Sequence, residues 1–352
     1  MNLNILGWND FFAGGFAPHA GRGLLPGRVA SVSRHLYRVY TEQDELLAEV
    51  SGRMRRESSR RDLPAVGDWV AVSPRGEEKR ATICAVLPRK SQFSRRAAGT
   101  GDVEQVLAAN IDILFIVSGL DHDHNPRRIE RYLTLAGESG ASPVIVLNKS
   151  DLCSDLEQKV REVRAVAGAV PVHVISCTAS QGLEQLTAYL GVGVTAALLG
   201  SSGVGKSTLV NRILGEEAQR VREVRAGDSR GRHTTTSREL KVIPSGGMLI
   251  DNPGMRELRL GTAEEGLGSA FADIDSLAAG CRFSDCRHRE EPGCAVRLAL
   301  EEGALERGRF ESYLKLQREI AYQVRKENLE EYRLEKERWK KIRCAFRKGR
   351  RQ

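Results

Sequence analysis

Residues Gly200, Ser201, Ser202, Gly203, Val204, Gly205, Lys206, Ser207 and Thr208 have the spacing of a phosphate-binding loop. In that pattern glycines let backbone N–H groups close around phosphates, the lysine reaches the terminal ones, and the serine hydroxyl serves Mg²⁺. A second group, Asn148, Lys149 and Asp151 in NKSD, has the chemistry of a guanine reader. The Asp151 carboxylate can accept from N1–H and the 2-amino group of guanine, donors that adenine lacks, while Asn148 and Lys149 brace the base and the phosphate loop. A site built to pair with such donors rejects an analogue lacking them by about four orders of magnitude, because its buried polar atoms are left unpaired. Ser176 and Cys177, in VISCTASQGL, fall where the backbone of a small loop could meet the guanine oxygen.

Downstream, LIDNPGM supplies Asp251, an acid at a strand end able to hold Mg²⁺ directly or through water, and Gly254, whose N–H can approach a γ-phosphate. Between these lies RGRHTTT, where Thr235, or else Thr234, would complete the Mg²⁺ shell with Ser207. His233 in the same run either positions a water or contacts nucleic acid. Met255 stands where Ras-like proteins carry a water-orienting glutamine, so unaided hydrolysis of a nucleotide is expected to be slow.

The order of these motifs is unusual. In an ordinary GTP-binding protein the phosphate loop precedes the base reader, whereas here NKSD comes first. A parallel sheet keeps the same spatial site if the old termini are joined and new ones opened elsewhere, since termini of compact domains often lie close together. A circularly permuted domain is therefore expected, with the segment after Asp251 running directly into the C-terminal module.

Four more residues form a possible metal set. Cys281, Cys286, His288 and Cys294, in CRFSDCRHREEPGC, offer three thiolates and an imidazole, a closed tetrahedral set for structural Zn²⁺. The spacing is not the common paired form, and three packed cysteines beside a surface histidine is the competing view. Cys84, Cys153, Cys177 and Cys344 read as small packed side chains.

The elements that must position these residues are legible in outline. IDILFIVS, PVIVLN, VHVIS, VTAALLG and GMLID are apolar strands alternating with amphipathic helices, the pattern of a parallel sheet covered on both faces. The last four run into the suspected motifs, and ligands of such sheets bind beyond the carboxyl ends of the strands. Upstream, GRVASVSRHLYRVYT, LLAEVSGR, GDWVAVSP and ATICAVLPR are short β-like runs that fit an all-β oligonucleotide-binding (OB) barrel, with an SH3-like barrel nearly as apt. Arg53, Arg55, Arg56, Arg60 and Arg61 would form a basic loop beside it.

With 352 residues, 41% hydrophobic and 28% charged, the chain has the composition of a soluble protein of two or three domains. No apolar run approaches the ~18 residues of a membrane span, and the N-terminus lacks secretory features, so the cytoplasm is expected and a membrane partner is not. Charge is uneven: residues 22–99 carry +7, residues 100–304 carry −6 and residues 305–352 carry +8. Basic ends around an acidic middle suit a polyanion gripped by the flanks, and Trp339 and Phe346 in the last basic run could stack on bases.

Taken together, these motifs resemble the circularly permuted ribosome-small-subunit-dependent GTPase A family, over about residues 27 to 335. The resemblance implies an N-terminal tail (1–26), an OB-fold RNA-binding domain (27–100), a permuted α/β P-loop GTPase domain (101–272), and a zinc-binding helical domain with a basic tail (273–352). It implies a monomer that binds GTP or GDP, the small (30S) subunit and 16S rRNA, with GTP turnover accompanying late subunit maturation. It also places one structural Zn²⁺ on Cys281, Cys286, His288 and Cys294. Asn252 departs from the threonine or serine common in that family, at a position whose side chain need not touch nucleotide. The alternative kept beside this reading is an RNA-binding module that uses GTP only as a regulatory ligand; an ATP-dependent enzyme is disfavoured by NKSD.

Overall fold

The computed structural model describes residues 2–33, 35–57, 62–75, 78–96, 104–215, 238–251, 264–322 and 324–325. It divides into two compact units, one of residues 1–95 with 104–259, the other of 96–103 with 260–352.

Five strands of the first unit close a barrel: β1 (Leu25–Ser33), β2 (Leu36–Thr41), β3 (Glu45–Val50), β4 (Trp69–Arg75) and β5 (Arg80–Val86). Their order is β1-β2-β3-β5-β4, with β4 returning to β1. The β3–β5 pair is parallel and the others antiparallel, the connection of an OB-like barrel rather than an SH3-like one. Alternation of apolar residues fills the interior with Val29, Val39, Ala48, Val70, Val72 and Ile83. A short helix, α2 (Gly52–Glu57), follows β3 and exposes Arg53, Arg55 and Arg56. Arg60 and Arg61 lie outside the described residues.

The N-terminal stretch, expected as a tail, instead carries helix α1 (Asp10–Ala20), capped by Asn9, whose side chain accepts from the Phe11 N–H. Trp8, Phe12 and Phe16 recur every four residues, so one face is aromatic. Trp8 and Phe12 lie with ring centroids 4.7 and 5.7 Å from the buried Trp69 of β4. This aromatic period, in a run whose only charged residue is Asp10, is what distinguishes the segment from a solvated tail.

Strands β6 (Gln92–Arg96) and β7 (Glu104–Ala109) form a small two-stranded sheet leading into the nucleotide-type sheet. That sheet is built from β8 (Ile113–Gly119), helix α3 (Pro126–Ser139), β9 (Ser142–Asn148), helix α4 (Leu156–Ala167), β10 (Val172–Val174), helix α5 (Leu183–Thr187), β11 (Thr195–Gly200), helix α6 (Lys206–Leu214), β12 (Glu239–Val242) and β13 (Met248–Asp251). The order is β10-β9-β8-β11-β13-β12, parallel except for β12. All five strands read from the sequence are present. Phe115, Val117, Val146, Leu198, Leu209 and Leu249 pack its core.

Barrel and sheet are one unit because β1 also pairs with β12 and because Arg28 is buried between them. The Arg28 guanidinium donates to the carbonyls of Leu6, Gly67 (3.3 Å) and Asn110 (3.0 Å) and to Thr195 Oγ1 (2.8 Å), and it lies over the Trp69 ring. Burial pulls its pKa down to about 10, partly offset by Asp112 and Asp68, so it stays charged at neutral pH.

The second unit holds α7 (Glu264–Ala270), α8 (Ala272–Ala278), α9 (Ala295–Glu301) and helical residues 307–322. Arg309 grips Asp273 through two bonds of 2.7 and 2.6 Å and covers the Phe271 ring. No helix among the described residues is long and apolar enough to cross a membrane.

Truncating Arg28 leaves buried carbonyls and a threonine hydroxyl without their donor. Arg28→Ala is expected to destabilise the first unit by about 3–5 kcal/mol, the cost of breaking a buried charged network. Denaturant unfolding followed by Trp fluorescence checks this; an unchanged midpoint would show that Arg28 does not hold the barrel to the sheet.

Candidate functional site

The phosphate loop leaves the carboxyl end of β11 and enters α6. Gly203 and Gly205 sit at φ +78° and +94°, a region open to glycine, and a Cβ on Gly205 would lie 2.3 Å from Asn148 Nδ2. At Gly200 a Cβ would lie 2.2 Å from the Val117 carbonyl, so the loop leaves β11 against β8 with no room for a side chain. Lys206 folds back on the loop, donating to the carbonyls of Gly200 (2.8 Å) and Ser201. Val204 is buried, while Ser202, Gly203 and Ser207 are exposed and Thr208 is half-buried in the first turn of α6.

Asn148, the last residue of β9, ties this loop to the base-reading side. Its Nδ2 donates to the Val204 carbonyl at 2.8 Å, and its Oδ1 accepts from the Cys177 N–H at 3.1 Å. The Cys177 amide expected at the guanine oxygen is thus engaged with Asn148, and the Cys177 thiol is buried, which pushes its pKa up to about 11.

Asp151 is exposed beside this bridge. Ser176 Oγ donates to one carboxylate oxygen and Thr178 Oγ1 to the other at 3.1 Å. The Ser176 hydrogen bond holds the carboxyl below its usual range, so it remains an ionised acceptor. A carboxylate has about four lone-pair sites, so these hydroxyls leave capacity for further donors. Lys149 holds a left-handed backbone at φ +68° and donates to Asp121 Oδ2 at 2.6 Å.

Asp251 ends β13, beside β11. His233, Thr234, Thr235, Asn252, Gly254, Met255, Trp339 and Phe346 lie outside the described residues, as does Cys344. Sequence reasoning overlooked Asp121 and Arg128, which touch the motif residues Lys149 and Ser201, and Asp123, to which Arg128 also donates. The available signal was position, since the DHDH run follows a parallel strand at its carboxyl end. Arg212 of α6 was overlooked too, and its Nε donates to the Cys177 carbonyl at 3.1 Å.

In the second unit Cys281, Cys286, His288 and Cys294 come together, with all four ligand atoms within 4.8 Å of one another. Cys281 Sγ lies 3.9 Å from Cys294 Sγ and 3.6 Å from His288 Nδ1, which is 3.4 Å from Cys294 Sγ. These residues could hold a metal ion.

A phosphate loop after β11 and, across β8, a guanine-type acceptor and a shared asparagine at the end of β9 define a GTP-binding domain whose motifs run in permuted order. The RsgA GTPase family model matches residues 86–261. The chain is 49% identical, over 97% of its length and 96% of the other's, to a protein from Opitutus terrae named small ribosomal subunit biogenesis GTPase RsgA. Its fold is similar to the crystal structure of YjeQ from Thermotoga maritima, with a TM-score of 0.65 and 28% identity, covering 86% of this chain and 99% of that one. It shares its fold as well with YloQ, described as a circularly permuted GTPase, at a TM-score of 0.62 and 22% identity over 86% of this chain and 97% of that one. The chain belongs to the RsgA GTPase family and is by that class a GTP hydrolase.

Replacing Asn148 tests the bridge. Asn148→Ala removes two neutral hydrogen bonds, each worth about 1 to 1.5 kcal/mol, so GTP affinity is expected to fall on the order of 100-fold. Equilibrium titration with a fluorescent GTP analogue measures it, with circular dichroism to confirm that the fold persists; wild-type affinity would refute the bridging role.

Proposed function

We propose that this chain binds the small (30S) ribosomal subunit through 16S rRNA and hydrolyses GTP in assisting a late step of the subunit's maturation. The observation that supports this most directly is the Asn148 bridge between the Cys177 amide on the base-reading side and the phosphate loop, in a unit with an OB-like barrel bearing exposed Arg53, Arg55 and Arg56. The relative from Opitutus terrae, named for small ribosomal subunit biogenesis, supports the same partner.

In this reading guanine donates to Asp151, and Asn148, Lys149, Ser176 and Cys177 frame the base. Lys206 exchanges its carbonyl partners in Gly200 and Ser201 for phosphate oxygens, a neutral acceptor for an anionic one. The backbone from Ser201 to Thr208 wraps the phosphates. Ser207 and Thr235 would hold Mg²⁺, with Asp251 direct or through water, and the bound ion would neutralise developing phosphate charge. The Gly254 N–H meets the γ-phosphate, and its loss on hydrolysis releases the segment that runs into the second unit. Met255 offers no group to orient water, so hydrolysis alone is slow, and docking on the subunit brings His233 to position water.

The ion we assign to the cysteine–histidine set is Zn²⁺ in a structural role. Bonds of ~2.3 Å to sulfur in a tetrahedron imply edges of ~3.8 Å. The 3.9 Å between Cys281 and Cys294 fits that edge. The protein acts as a monomer in the cytoplasm.

Multiple-turnover assays are expected to show GTP hydrolysis rising on the order of 10³-fold with saturating small subunits. His233→Ala should abolish that rise while GTP affinity and subunit binding stay near wild type. Stimulation that survives the substitution removes His233 from the reaction, and no stimulation of the wild type removes the subunit as activator.

Elemental analysis of protein purified without chelator is expected to give one zinc per chain, and chelation should unfold the second unit while GTP binding by the first persists. Metal-free native protein would refute the zinc assignment.

A further inference from the structure

The run Asp121-His122-Asp123-His124-Asn125-Pro126-Arg127-Arg128 lies outside the GTP motifs, yet it touches both sides of the site. At its start, Asp121 Oδ2 accepts from the Lys149 ammonium at 2.6 Å, and its Oδ1 accepts from the Asp123 N–H at 3.1 Å. At its end, one guanidinium nitrogen of Arg128 donates both to Asp123 and to Ser201 Oγ. Asn125 fixes the turn between them by capping α3, its side chain accepting from the Arg128 N–H at 3.1 Å.

Three further observations show that this run is built tightly against the site. A Cβ on Gly119 would lie 2.5 Å from Asp121 Oδ1, so the chain folds back directly on the end of β8. Lys149, at φ +68°, is a non-glycine residue in a region that persists only where the surroundings hold it, and the Asp121 ion pair is such a hold. The Asp121 and Asp123 side chains are only 14% and 15% exposed, which favours short charge-assisted bonds over solvated pairs.

We propose that Asp121 and Arg128 are positioning residues of the GTP site: Asp121 directs Lys149 on the base-reading side, and Arg128, through Ser201, fixes the phosphate loop. One turn of chain thereby registers guanine recognition against phosphate binding. Neither residue touches reacting atoms. The inference rests on the reading of this site as one for GTP.

The test uses the full chain, with affinities for GTP and for guanosine measured by competition against a fluorescent guanine nucleotide. Guanosine reports the base side alone. Arg128→Ala is expected to weaken GTP about 10-fold, the scale of one charge-assisted hydrogen bond, and to leave guanosine unchanged. Ser201→Ala should match it, and the double variant should be no weaker than either single one. Asp121→Ala should weaken GTP and guanosine alike, by about 10-fold. Arg128 is half-buried, with its side chain 34% exposed against 14% for Asp121, so its variant keeps the test open if Asp121→Ala fails to fold. Wild-type GTP affinity in Arg128→Ala, or an equal loss of guanosine in that variant, would overturn the proposal. A wild-type chain that binds no GTP would instead overturn the underlying reading of the site.

Discussion

The position of β11 between β8 and β13 is the constraint on which the site depends. Ala197 of β11 pairs with Leu114 on one side and Ile250 on the other, in register and parallel. Parallel strands discharge their carboxyl ends at one edge, so the phosphate loop, the base reader beyond β9 and Asp251 at the end of β13 arrive together. Backbone hydrogen bonds carry no record of which strand was made first. The sheet therefore tolerates a base reader that precedes its phosphate loop, and the permutation changes only where the chain enters and leaves.

The barrel is attached to this sheet by means that a linker would not supply. Strand β1 pairs with β12 at Ser31 and Glu239, and Arg38 of β2 bridges Glu239 at 2.7 Å while also holding Glu45. Arg28 fills the seam. A buried cation is tolerable where its donors find fixed acceptors, and here they come from the N-terminal segment, the barrel, Asn110 between β7 and β8, and β11. Helix α1 then covers Trp69 from outside. The N-terminal segment is therefore part of the joint between two folds.

The metal set in the second unit rests on a similar local economy. Between His288 and Cys294 the chain turns sharply, with His288 at φ +59° and Gly293 at φ +75°. The Glu291 carboxylate lies under that turn, and hydrogen bonds from its own amide and those of Arg289, Arg287 and Glu290 hold its pKa at about 2. Cys294 in turn caps α9, its sulfur accepting from the Arg297 N–H at 3.4 Å. The ligand loop is thus organised by groups that are not themselves ligands.

Local spacing carried a large share of this protein. The glycine-rich loop, NKSD, the apolar strands, the cysteine and histidine set and the inverted motif order are all written in contiguous or regularly spaced residues, because each reflects a short-range backbone requirement or a fixed chemical valence. Three matters were decided only in three dimensions. The parallel β3–β5 pair and the β1–β4 closure chose the OB-like barrel over an SH3-like one, since strand runs do not state their partners. Arg28, Arg38 and Arg89, counted in sequence toward a basic surface, proved to be a buried hub and two ion-paired side chains, since a charge count is blind to burial and to partners distant in the chain. The contacts of Asp121 with Lys149 and of Arg128 with Ser201 join residues 28 and 73 positions apart, and only the sheet, by stacking the ends of β8, β9 and β11, brings them within hydrogen-bonding reach.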